Sequence, residues 1–143
     1  MNIKKLFSFS KKAKIFNLFE KAIETKSNEM LLRALNFTYK EQIDKDYVNY
    51  FKRLLPEIWH EEHEEIITLI WLHNLNNNVF SDVLYLIANH PEIYRKYDDE
   101  NESILRKCIH VLKEINSEKS NQYIEKLKSL NNPNVYFALE NYN

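Results

Sequence analysis

A chain of 143 residues, 44% of them hydrophobic, is long enough to bury one sizeable core. It has no glycine and three prolines, which excludes glycine-rich phosphate loops and dinucleotide-binding turns and favours helices joined by short turns rich in Asn, Asp and Ser. The net charge of −1 hides an uneven distribution: residues 1–40 carry nine Lys/Arg against three acids, residues 41–102 five against fourteen, and residues 103–143 six against four.

The elements follow in chain order. Residues 11–24 place Ile15, Phe16, Leu18, Phe19, Ala22 and Ile23 at spacings of three and four, an amphipathic helix with a basic outer face. Ser27 is placed to cap a helix over 28–37 with Leu31, Leu32 and Leu35 inward. Thr38 and Glu41 match the S/T-x-x-E capping box, predicting a helix over 39–54 that buries Ile43, Tyr47, Tyr50, Phe51 and Leu54 and stops before Pro56.

The next stretch, WHEEHEEIITLIWL from Trp59 to Leu72, changes from acidic to apolar at Ile66, as in a helix that enters from solvent and ends in the core. A helix over 79–89 with Val79, Phe80, Val83, Leu84 and Ile87 inward follows, then a short turn of helix from Pro91 toward Tyr94. Asp99 and Glu102 suggest a second capping box for a helix over 100–115, whose stripe is Ile104, Leu105, Cys108, Ile109, Leu112 and Ile115. Ser117 is placed to cap 118–130, with Ile124, Leu127 and Leu130 apolar, and Pro133 opens a last helix in the tolerated first position.

The expectation is an all-α single domain over residues 1–143 of about eight helices in antiparallel pairs, with 1–37 capping about three pairs over 38–143. The recurrence of 60–73 onto 102–115, about 40 residues later, has the spacing of a HEAT-like right-handed α-solenoid. A compact helical bundle is the alternative.

Cys108 cannot form an internal disulfide and reads as a buried thiol in a reducing compartment. Lysines 11, 12 and 14 interrupt the apolar start, so no leader peptide is read, and no run approaches the roughly 18 apolar residues of a membrane span. A cytoplasmic location with no membrane partner is expected.

His60 and His63 among four glutamates resemble a metal motif, but H-E-x-x-H needs the second histidine four residues on, where Glu64 stands. No metal and no cofactor is expected. No nucleophile with a neighbouring base can be read, so the chain is not expected to be an enzyme. Acids at a helix start also interact favourably with the helix dipole. Glu64, on the side of Ile67 and Trp71, needs a partner if half-buried, and Lys107 one repeat later is the candidate.

Trp59-His60, His63-Glu64 followed by Ile66-Ile67, the Tyr97-Asp98-Asp99 turn, Arg106-Lys107-Cys108-Ile109 and Leu112 with Ile115-Asn116-Ser117-Glu118 together resemble small bacterial HEAT-repeat proteins. Several of those look like immunity proteins of polymorphic or contact-dependent growth inhibition toxins. The resemblance covers about residues 55–130 and implies Trp59, His63, Glu64, Asp99 and Lys107 as structural framework. It further implies a protein that binds the C-terminal domain of a cognate toxin, a nuclease among the toxins of this kind, and blocks its active site or substrate surface; the free chain is expected to be monomeric. The acidic middle segment would repel nucleic acid and attract a basic protein, with Glu61, Glu62, Glu65, Asp98 and Glu100 as exposed contact residues. A HEAT-like interaction scaffold without a toxin partner is the alternative.

Overall fold

The structure, a computed structural model, describes residues 3–140 and the side chains of residues 11–140. The reading of the first ten residues as no leader therefore concerns side chains outside those described. Among the described residues there are nine α-helices, three short 3-10 turns and no strand. The helices are α1 (Ile3–Thr25), α2 (Asn28–Phe37), α3 (Val48–Leu54), α4 (His63–Leu72), α5 (Ser81–Asn89), α6 (Pro91–Tyr94), α7 (Ser103–Ile115), α8 (Glu118–Lys128) and α9 (Pro133–Glu140).

The N-terminal part is built around aromatic packing. Phe16 of α1 lies 4.8 Å from the ring of Tyr47 and 4.7 Å from that of Tyr50, and Phe19 meets Phe51 edge-on at 6.1 Å. Helices α1 and α2 pack on one another, joined at Lys26 in the left-handed region, while the Ser27 hydroxyl accepts the amide of Met30. That cap satisfies an amide that the first turn leaves open.

The expected helix over 39–54 does not form as one piece. Thr38 ends α2 in the right-handed helical region rather than in the extended backbone of an N-cap, and its buried hydroxyl donates back to the carbonyl of Leu35 at 2.6 Å. Glu41 pairs instead with Lys11 at 3.4 Å, residues 41–44 are not helical, and Asp44 caps a 3-10 turn over Lys45–Tyr47 before α3 begins. Leu32 and Val79, expected to face inward, are exposed, as is the apolar Leu130.

The C-terminal part is organised around α7, which packs against α4, α5, α8 and α9. Its predicted stripe buries Leu105, Cys108, Ile109 and Leu112, and Val111 is buried as well because neighbours enclose the helix on more than one side. Helix α8 carries a reciprocal cap: Ser117 Oγ accepts the amide of Ser120, and Ser120 Oγ accepts the amide of Ser117. With no glycine available, the left-handed turns fall on Lys26, Asn74, Glu102, Asn116 and Asn131. Asparagine tolerates this conformation best after glycine, so Lys26 and Glu102 are the costly ones.

Candidate functional site

The acidic stretch starts later as a helix than its pattern suggests. Trp59–Glu62 precede α4, and side chains hold their backbone: the amide of Glu61 donates to Asn28 Oδ1 of α2 at 2.8 Å, and the amide of Glu62 donates locally to His60 Nδ1 at 3.0 Å. With Nδ1 accepting, the imidazole carries its proton on Nε2, which donates to the carbonyl of Leu54 at 2.7 Å. His63 Nε2 donates to the carbonyl of Glu57 at 2.8 Å, and the two rings stack at 4.3 Å.

Both histidines are thus fasteners for the irregular segment between α3 and α4. Burial pushes the His60 imidazole down to about 4, a hydrogen bond to Leu54 opposing it and His63 adding to it, and burial likewise lowers His63. Among the described residues, no group of three or more His, Cys, Asp or Glu side chains is placed to hold a metal ion.

Opposite this segment lies the turn between α6 and α7. Arg95 is buried there: its guanidinium donates to Asp98 Oδ2 at 3.3 Å, to Glu102 Oε2 at 2.8 Å and to the carbonyl of Ala88 at 3.0 Å. Glu102 also accepts from Asn132 and Asn134, both at 3.0 Å. Burial works against its charge, but those amides and Arg95 hold its carboxyl below the usual range. The network fixes Glu102 in its left-handed conformation and ties the start of α7 to the start of α9.

Asp98, not Asp99, caps α7, its Oδ1 accepting the amide of Ile104 at 3.1 Å. Only 6% of the Asp98 side chain is exposed, which removes it from the exposed contact residues expected from sequence. Asp99, expected as framework, is exposed, and no partner holds its carboxylate among the described residues.

Between the two segments is a cleft of about 270 Å³. Its walls bring together Glu61, His63, Glu64, Asp98 and Asp99 from the sequence-predicted set. Glu64 pairs across the gap with Lys107 at 3.2 Å, the partner expected for it. Trp59 lies half-buried with its ring edge-on to His60, Glu62 turns to Asn28 Nδ2 at 3.3 Å, and Glu65 and Glu100 are exposed outside the lining.

Among the lining residues not expected as site residues from sequence are Ile58, Ile93, Tyr94 and Tyr97, which form apolar or aromatic walls. Tyr97 and Ile58 are the most exposed of these, at 79% and 71%. Tyr94 is anchored by its hydroxyl to the carbonyl of Pro56 at 2.8 Å. The available signal was that Ile58, Ile93 and Tyr97 belong to no helical stripe.

No family model matches the chain, and neither a curated protein nor a solved structure matches it. No helix among the described residues is long and apolar enough to cross a membrane.

Proposed function

We propose that the protein is a cytoplasmic immunity protein that binds the C-terminal domain of a cognate bacterial toxin and covers its active site or substrate surface. The observation that carries this reading is the cleft, where exposed Ile58, Ile93 and Tyr97 stand beside the carboxylates of Glu61 and Asp99. Apolar and aromatic anchors next to charge are what a specific protein interface uses: the anchors give affinity, and the charge speeds encounter. The resemblance of residues 55–130 to small HEAT-repeat immunity proteins supplies the biological setting, and we read the paired helices as a HEAT-like right-handed solenoid rather than a compact bundle. The protein is a monomeric, non-catalytic binder with neither nucleic acid nor membrane as partner. In support, His60 and His63 are committed to backbone carbonyls, and burial pushes the Cys108 thiol up to about 12.

The test is co-expression of the chain with the C-terminal domain encoded by the neighbouring open reading frame. Rescue of growth and co-purification as a complex are expected. Toxicity that persists with the chain present, or the absence of any toxin gene beside it, would favour a HEAT-like scaffold serving another protein.

A further inference from the structure

The walls of the cleft differ in what they leave unused. Glu64 is paired with Lys107 and Asp98 with Arg95. The carboxylates of Glu61 and Asp99 have no partner among the described residues, and both line the same space as Ile58, Ile93 and Tyr97. His60 and His63, in the floor, each donate to a carbonyl. The cleft therefore offers two uncommitted acceptor groups beside apolar and aromatic surface, in a volume of about 270 Å³, the scale of one long side chain rather than a folded element.

We propose that the cleft receives an arginine side chain of the partner protein, its guanidinium meeting the carboxylates of Glu61 and Asp99 while its stem and flat face lie against Ile58, Ile93 and Tyr97. This rests on the reading of the cleft as a protein-docking surface. Arginine suits it better than lysine for two reasons. A guanidinium is planar and weakly hydrated, so it stacks on an aromatic face and loses less on entering a half-apolar space. It also presents several N–H donors in a fixed fork, which can serve two carboxylates at once, whereas an ammonium is a compact and strongly hydrated point charge. Lys96, also in the lining, leaves a net negative remainder there and does not fill it.

Capped tripeptides Ala-Arg-Ala, Ala-Lys-Ala and Ala-citrulline-Ala, titrated into the full chain by amide NMR, test this. Saturable shifts confined to residues 57–64 and 93–104 are expected for the arginine peptide, with affinity at least about threefold above the lysine peptide and no saturation with citrulline. Glu61→Gln and Asp99→Asn should each weaken the arginine peptide by about fivefold, the upper end of what one exposed ion pair contributes. Their circular dichroism should not change, because neither side chain is held by the fold.

Equal binding of all three peptides, shifts elsewhere, or indifference to both variants would overturn the arginine site. The docking reading fails separately. If a cognate complex loses affinity on Ile58→Asp while the arginine peptide does not bind, the arginine proposal is wrong and the docking surface stands. If the peptide binds but the complex ignores Ile58→Asp, the cleft takes a guanidinium but not the toxin's, and both the docking reading and the partner arginine are overturned.

Discussion

Glu64 and Lys107 stand 43 residues apart in sequence and meet at 3.2 Å, joining the first turn of α4 to the middle of α7. Both side chains are partly exposed, so the pair orients the two helices more than it stabilises them. A double-mutant cycle with Glu64→Gln and Lys107→Met, followed by urea unfolding, should give a coupling energy below about 1 kcal/mol. A coupling of several kcal/mol would mean that the pair holds the helices together by itself.

Arg95 should behave differently. Its guanidinium is buried against Asp98 and Glu102, and removing it leaves those carboxylates without their cation. Arg95→Met is expected to cost about 3 kcal/mol or more, because a buried charge left uncompensated is far costlier than a lost surface pair. The urea midpoint measures the loss, and amide NMR should place the disturbance in residues 98–104 and 132–134. A loss no larger than that of Lys107→Met would contradict the network as described.

The contrast between these two pairs shows what the sequence discloses. Helical stripes locate α2, α5, α7 and α8 to within a few residues, because a 3.6-residue period is a local property of the chain. The Glu64–Lys107 pair was legible because two stripes in register put both residues on facing sides. Thr38 was misread because a threonine before a Glu three residues on fits either end of a helix, and here its backbone is still right-handed helical at the end of α2, with its hydroxyl donating back to Leu35. Trp59–Glu62 were misread as helix because Asn28, which takes the Glu61 amide, comes from α2 33 residues earlier, while His60 takes the Glu62 amide with its ring fixed on the carbonyl of Leu54. Asp98 and Asp99 are adjacent and chemically identical, and only the position of Arg95 determines which is buried.

Acid should weaken the fold through His60. Its native pKa, about 4, lies below the ordinary histidine value near 6.5, so on acidification the unfolded chain takes up a proton first. Stability is full above about pH 6.5 and falls as the pH drops toward about 4, by about 3 kcal/mol from this residue; the lowered His63 acts in the same direction. Urea midpoints across this range measure the loss. In His60→Gln, which keeps a donor toward Leu54, the starting stability should be lower and this part of the pH dependence should be reduced. An unchanged pH profile in that variant would rule out His60 as the source.

Lys26 marks a place where the absence of glycine has a cost. Its φ of 51° puts a side-chain-bearing residue in the left-handed region at the end of α1, and that side chain is exposed. Lys26→Gly should raise stability by about 1 kcal/mol, since glycine pays no Cβ penalty there. Thermal melting checks it, and a fall in stability would mean that the lysine contributes something beyond its backbone position.

The acidic, apolar-walled cleft is the surface proposed to meet the partner. The most direct test is the association rate of the chain with the toxin domain proposed as its partner across a salt series, for the native protein and for Glu61→Lys combined with Asp99→Lys. Among the described residues neither side chain has an internal partner, whereas reversal of Asp98 would disrupt the cap of α7 and the Arg95 pair. A fall in association rate of about tenfold or more at low salt, with a flattened salt dependence, is the predicted result. An unchanged rate and an unchanged salt slope in a folded double variant would contradict it.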